Sequence, residues 1–159
     1  MKRMNINYSK LEISFVTFNE LFLEMSYRWL QDNELLYLID GTPITKDQQL
    51  LWFEKLSILN DYEIYGVMGN GIPIGVCGLK HITKYDGEYF GYIGEKDYWG
   101  IGIGKYLIEY IEKIAKIKQL ESIYLKVRED NVRAIKLYKK MNYQIISQDG
   151  YTIKMNKTL

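Results

Sequence analysis

The stretch YWGIGIGK at residues 98–105 places three glycines at alternate positions directly before an amphipathic helical pattern. Glycines at this density allow sharp turns and let a ligand approach the main chain closely. The start of the helix behind them offers unpaired N–H groups and the positive end of the helix dipole, which favour a phosphate group. The stretch therefore predicts a loop that binds a phosphate-bearing ligand.

Two common nucleotide-binding loops do not fit these positions. A Walker A loop requires a glycine where Trp99 stands and a Ser or Thr where Tyr106 stands. The third glycine of a dinucleotide fingerprint is missing in both registers, because those positions hold Lys105 and Leu107. The remaining alternative is a plain turn between a strand and a helix, which does not need three spaced glycines.

Composition and charge narrow the classes of function. The 159 residues are one domain by length, and the 47% hydrophobic fraction suffices for a sizeable core. A formal net charge of +1, from 21 basic and 20 acidic residues, gives no patch for nucleic acid or a membrane. The single cysteine, Cys77, lies in an apolar run typical of an inert buried thiol. One cysteine cannot form a disulfide within the chain or a CxxC zinc site, and no metal is expected. Because no signal peptide or apolar span is visible, the sequence predicts a cytoplasmic protein.

Apolar periodicity predicts an α/β domain built on a mixed sheet. Strands are expected at residues 11–17, 62–68, 72–82, 88–94, 122–128, 143–147 and 151–155. Helices are expected at residues 18–31, after Thr45, directly behind the glycine loop and after Asn131, with Thr45 and Asn131 as N-caps. The strand at 88–94 thus delivers the chain to the glycine loop.

Three motifs, taken in order, are similar to those of the GNAT superfamily of acyl-CoA-dependent N-acyltransferases. They are the strand at 88–94, the glycine loop and the segment NVRAIKLYKKM at 131–141, which resembles the family's Asn-x-x-Ala-x-x-Leu-Tyr pattern. Trp99 replaces the usual Arg or Gln of the loop, and Asn142-Tyr143 replaces a usual Gly-Phe, where Asn also tolerates a left-handed backbone. The likeness covers about the last 90 residues, whereas the first 60 match only in layout.

The resemblance implies a single domain over residues 1–159, with residues 1–60 on the acceptor side and 61–159 forming the acetyl-CoA side and core sheet. It implies a mixed, mostly antiparallel sheet with a splayed central strand pair and about four helices. A bulge near Ile93 and Gly94 would splay the strands, the pantetheine would lie in the gap like an added strand, and an N–H there would polarise the thioester. The implied contacts of acetyl-CoA are Ile93, Gly94, Ile101, Gly102, Ile103, Gly104, Lys105, Asn131 and Tyr138.

The resemblance also implies catalytic roles. Tyr138 corresponds to the family's tyrosine that protonates the leaving thiolate; the alternative is a core tyrosine, one of 15 in the chain. Glu88 corresponds to a glutamate that acts as the base in several relatives, and the alternative is an exposed hairpin carboxylate. His81, the only histidine, is the second candidate base because its titration range suits accepting a proton from an amine.

The acceptor is expected to be a small-molecule amine. The segments around Arg28, Trp29 and Trp52 look like those of acetyltransferases that act on nucleotide-linked amino sugars, with Arg28 pairing a phosphate. The alternative for these residues is the core of two packed helices. A protein N-terminus or a polyamine is the other class of acceptor, and a non-catalytic acyl-CoA-binding module is the alternative to an enzyme. A homodimer is an option that the sequence leaves open.

Overall fold

The computed structural model describes residues 8–159, which form seven strands and five α-helices. The strands are β1 (Ile13–Thr17), β2 (Glu63–Gly69), β3 (Ile72–Lys80), β4 (Asp86–Ile93), β5 (Ser122–Arg128), β6 (Gln144–Asp149) and β7 (Thr152–Thr158). The helices are α1 (Glu20–Trp29), α2 (Asn33–Leu38), α3 (Lys46–Lys55), α4 (Gly104–Ile117) and α5 (Val132–Lys140). One mixed, mostly antiparallel sheet in the order β1-β2-β3-β4-β5-β7-β6 confirms the predicted fold class.

Helix α2 is the element that the sequence interpretation missed. The expected helix over residues 18–31 ends at Trp29, and Asp32 starts a new helix by accepting a hydrogen bond from the Leu35 N–H at 2.9 Å. Six residues are too few to display a helical period, so capping rather than periodicity defines this helix. The predicted cap of α3 is confirmed: Thr45 Oγ1 accepts from the Gln48 N–H at 3.2 Å, and the Gln48 side chain accepts from the Thr45 N–H at 3.0 Å.

The centre of the sheet opens between β4 and β5, as predicted. These parallel strands pair through three residue pairs, the last of which is Glu88 with Tyr124. Both strands then continue without each other, β4 to Ile93 and β5 to Arg128. Main-chain groups along the facing edges are therefore left for a ligand that can pair with them.

The bend that follows β4 is a β-bulge. Pairing with β3 keeps one register up to Ile93 opposite Gly75. Directly beyond, the N–H groups of Gly94 and Glu95 both donate to the carbonyl oxygen of Ile74, at 2.8 and 3.2 Å. Two residues opposite one are the mark of a bulge, which turns the chain out of the sheet toward the glycine loop.

Two cores cover the two faces of the sheet. Helix α4 buries Leu107 and Ile111 against β5 on one face, and α1 buries Phe22 against Val76 of β3 on the other. Successive residues of β4 alternate between these cores. Burial also raises the pKa of the Cys77 thiol, consistent with the inert cysteine that the sequence predicted. Within residues 8–159, no helix has the length and apolar character needed to cross a bilayer.

Candidate functional site

The glycine loop has the open backbone that a phosphate-binding site requires. Gly100 and Gly102 have φ angles of 75° and 86°, in the left-handed region that favours glycine. Apart from Gly102 and its two chain neighbours, no described residue comes within 4 Å of the place that a Cβ of Gly102 would take. No described side chain caps α4 at Ile103, so the first N–H groups of this helix remain available to an anion.

The isoleucines of the loop fix its position. Ile103 is buried and Ile101 is half-buried, and both pack into the core beneath α4. Gly104 lies against α5, since a Cβ there would stand 2.7 Å from Leu137. Lys105 is exposed in the first turn of α4. Side chains therefore anchor the loop from below while its main chain faces outward.

Trp99, which stands where the resembled loop pattern has Arg or Gln, joins the loop to the sheet. Its indole Nε1 donates to the carbonyl oxygen of Ile93 at 2.7 Å, which ties the loop to the end of β4. Since the Gly94 N–H is already bonded to β3, strand alternation turns the main-chain groups of Ile93 toward the gap. Of the two donors expected there, the Ile93 N–H faces the opening, and the Gly94 N–H is engaged inside the sheet.

Tyr138 lies beside the gap. Its ring is 6.3 Å from that of Tyr89 on β4 and 6.1 Å from that of Tyr143, measured between centroids. Burial raises the pKa of Tyr138 to about 12, so the hydroxyl keeps its proton at neutral pH. Within the described part of the chain, no group forms a hydrogen bond with this hydroxyl. It can therefore donate to a ligand in the gap.

Asn131 and Arg133 hold the beginning of α5. The Asn131 side chain caps the helix by accepting from the Ala134 N–H at 3.3 Å, as predicted, and donates to the carbonyl of Leu38 at 3.4 Å. The sequence interpretation missed Arg133, whose guanidinium lies 3.4 Å from the place a Cβ of Gly100 would take. Its position in the Asn-x-x-Ala motif was the available signal, because that motif faces the glycine loop.

Glu88 stands where β4 and β5 part, and it is only 6% exposed. The alternative of an exposed hairpin carboxylate is therefore wrong. Lys80 Nζ lies 3.5 Å from Glu88 Oε2. Burial, and next the charges of Glu88 and Asp86, raise the pKa of Tyr124. His81 is exposed in the turn after β3, with a φ of 52°.

The structure separates the three expected acceptor residues. Trp29 is 6% exposed: its ring rests on Gly94, where a Cβ would stand only 2.1 Å away, and its Nε1 donates to Glu95 at 2.8 Å. It belongs to the core rather than to an open binding surface. Arg28 is exposed on the outer side of α1 and pairs with Glu24 at 2.7 Å.

Trp52 has an intermediate position. It is half-buried, and its ring meets Phe18 and Tyr62 edge-on, with centroids 5.5 and 6.2 Å away. Tyr62 in turn contacts Phe90 of β4 at 5.5 Å, on the same face as Glu88. Trp52 therefore packs behind Tyr62, which contacts the face of β4 that carries Glu88.

A cluster around Arg128, which the sequence interpretation also missed, lies at the end of β5. Its guanidinium lies between the rings of Tyr37 and Tyr151, 4.2 and 4.1 Å from their centroids. It pairs with Asp130 at 3.2 Å and Asp40 at 3.4 Å, and the Tyr37 hydroxyl donates to Asp130. The cluster fastens α2 and the segment after it to β5 and β7.

Comparisons with known proteins agree with this geometry. Residues 20–143 match the model of the Acetyltransferase (GNAT) family. An uncharacterized protein of Methanocaldococcus jannaschii is 26% identical over 140 residues; the match covers 86% of this chain but only 28% of that protein.

Two solved structures share the fold. Spermidine N-acetyltransferase from Vibrio cholerae, in complex with CoA and spermine, superposes with a TM-score of 0.83 at 17% identity, over 92% of this chain and 95% of its own. The Campylobacter jejuni N-acetyltransferase PseH, in complex with acetyl coenzyme A, gives 0.73 at 18% identity, over 92% and 99%. At these identities the likeness shows the shared fold.

Proposed function

The chain belongs to the acetyltransferase (GNAT) family, and we propose that it transfers an acetyl group from acetyl-CoA to the primary amine of a small molecule. The observation that carries this proposal is the gap between β4 and β5, which has the uncapped glycine loop at one end and Tyr138 beside it. A long, thin thioester with a diphosphate at its far end fits such an arrangement.

The donor side of the site fits acetyl-CoA in two respects. The unpaired edge of β4 offers the Ile93 N–H to the thioester carbonyl, whose oxygen gains negative charge during the reaction. The main chain at Gly102 and the first turn of α4 offers N–H groups to the diphosphate, and Arg133 adds a cation next to Gly100. Two structural neighbours, the spermidine N-acetyltransferase and PseH, hold CoA and acetyl coenzyme A respectively.

The reaction needs a base for the amine and an acid for the thiol. The amine nitrogen forms a bond to the acetyl carbon, the carbon–sulfur bond breaks, and one proton must move from nitrogen to sulfur overall. We assign proton acceptance to Glu88, directly or through water, because it is buried at the point where the strands part. Tyr138 donates the proton to the leaving thiolate, and its raised pKa keeps it protonated until then. His81 remains the second candidate base.

The amino group of a nucleotide-linked sugar is the proposed acceptor. The fold neighbours do not decide it, since spermidine N-acetyltransferase and PseH are both similar at the level of fold. A polyamine, a protein N-terminus and a non-catalytic acyl-CoA-binding module are the competing functions. A polyamine site would need clustered carboxylates; β4 offers Asp86 and Glu88 on one face, and Lys80 pairs with Glu88.

An acceptor panel tests the proposed reaction. Acetyl-CoA is incubated with separate pools of nucleotide-linked amino sugars, polyamines and peptides, and release of the free thiol is measured against a pool without amine. We expect amine-dependent release with the amino sugars. Preference for polyamines or peptides would reject the acceptor, and binding without turnover in any pool would leave only an acyl-CoA-binding module.

The loop assignment is tested by Gly102→Val with Gly150→Val as its matched control. Both glycines have a positive φ and open surroundings, so both variants carry similar backbone strain. We expect Gly102→Val to weaken acetyl-CoA binding on the order of tenfold or more, because the side chain blocks approach to the main chain. Calorimetry should show unchanged affinity for Gly150→Val, and equal effects in both variants would contradict the assignment.

Tyr138→Phe should lower kcat by roughly ten- to a thousandfold while acetyl-CoA affinity stays within about twofold, as expected when a general acid is lost. Steady-state rates and calorimetry measure the two effects. Because the pKa of Tyr138 is about 12, the wild-type rate should show no loss from tyrosine ionisation between pH 7 and about pH 10. Full activity of the variant would assign Tyr138 to packing alone.

Glu88→Gln and His81→Ala separate the two candidate bases. At saturating acceptor, we expect kcat of Glu88→Gln to fall at least about tenfold and that of His81→Ala to change by less than about twofold. The amide keeps the size of the carboxylate, and circular dichroism checks the fold. The reverse pattern would transfer the role to His81, and two unchanged rates would exclude both.

A further inference from the structure

We propose that Lys126 and Lys154 form the site that binds the phosphate of the acceptor. This inference rests on the proposed acetyl transfer and specifies its substrate class as an amine that carries a phosphate or diphosphate. The two lysines come from β5 and β7 and stand directly opposite each other in the antiparallel register. Directly opposed residues in such a pair share one face, with Cβ atoms roughly 5 Å apart.

This pair of like charges is unfavourable for the fold by itself. Two cations directly opposite each other destabilise an antiparallel pair. Within the described residues, neither Lys126 nor Lys154 has a carboxylate within ion-pair distance, and Lys154 Nζ instead lies 4.4 Å from the centroid of the Tyr124 ring. A local cost without a compensating partner in the chain is typical of a residue pair kept for a ligand. A phosphate between the two ammonium groups would remove the repulsion.

The pair lies on the face that the reaction uses. Leu125 and Val127 point into the core beneath α4, so Lys126 between them faces the opposite side. That side also carries Tyr124, the partner of Glu88 at the point where the strands part. Lys126 is two residues further along β5, roughly 7 Å away. A main-chain spacing of this size leaves one row of side chains between an amine at Glu88 and a phosphate at the lysines.

Other charges on this face do not neutralise the pair. The next row toward the open end holds Arg128, whose charge is already matched by Asp40 and Asp130. On the other side, Lys80 pairs with Glu88, and Asp86 accepts a hydrogen bond from the Thr83 hydroxyl at 2.8 Å. On β6, the residue opposite Lys154 is Ser147, whose hydroxyl can donate to an anion; Asp149 lies in the next row, opposite Thr152, and within the described residues it forms no ion pair with either lysine.

The arrangement therefore replaces Arg28 as the expected phosphate partner. Arg28 is exposed and paired with Glu24 on the outer side of α1. The lysine pair also disfavours a polyamine beside it, because a polycation would meet two cations that have no carboxylate within ion-pair distance among the described residues. The two lysines without an ion pair thus favour an anionic group beside them over a cationic one.

The test compares the double variant Lys126→Gln/Lys154→Gln with the control Lys113→Gln/Lys116→Gln. The control removes the same charge from exposed positions of α4. Thermal unfolding is recorded with UDP as the probe, both without CoA and at saturating CoA, which occupies the glycine loop. Without UDP we expect the melting temperature of the double variant to rise by about 1–3 °C as the repulsion is removed. UDP should raise the melting temperature of the wild type and the control but not that of the double variant.

Kinetics and donor binding complete the test. For UDP-glucosamine as acceptor, KM should rise at least about fivefold in the double variant, whereas the rate with free glucosamine should be unchanged. If UDP stabilises the double variant as much as the wild type, or if spermine rather than UDP stabilises the wild type, the inference is overturned. A loss of acetyl-CoA affinity in the double variant would also overturn it by placing the lysines on the donor side. Failure of the wild type to bind acetyl-CoA would instead reject the proposed function. In that case, the comparison of UDP binding by the wild type and the double variant without CoA still tests the lysine pair.

Discussion

The short pairing of β4 with β5 is the constraint on which the rest of the structure depends. A strand edge must satisfy its N–H and C=O groups with some partner. Beyond Glu88 and Tyr124 the two strands no longer pair with each other. Other groups of the chain satisfy part of the edge that is left. The Ile93 carbonyl accepts from Trp99, and the N–H groups beyond it turn back to β3. The main-chain groups that remain unpaired line a slot that runs along β4 and β5.

Helices pack on both faces of the sheet that contains this slot. On one face Phe22 of α1 fills the space above Gly66, where a Cβ would stand 2.3 Å from the ring. On the other, the first turn of α4 lies against Leu137 of α5. The strands therefore part between two packed layers.

Local signals in the sequence were sufficient for much of the fold and for the loop. The caps at Thr45 and Asn131 and the strand over residues 122–128 depend on neighbouring residues, and they were predictable. The burial of Glu88 was not, because a lone carboxylate in an alternating strand is equally consistent with either face.

The lysine pair and the Arg128 cluster could not be predicted from the sequence for another reason. Lys126 and Lys154 are 28 positions apart, and their opposition depends on the register of β7 against β5. Nothing in one segment specifies that register. The same holds for Arg128, which gathers partners from the segments around Tyr37 and Tyr151.

The contact of Trp29 with β4 has a thermodynamic consequence. Its ring rests on Gly94 and its indole nitrogen donates to Glu95, so moving α1 away from the bulge would break both contacts. Any displacement of α1 by a molecule on its side is then also a displacement of the strand end on the other side. Linkage requires such a coupling to be reciprocal: whatever one ligand gains or loses in affinity from the other, the other gains or loses by the same factor.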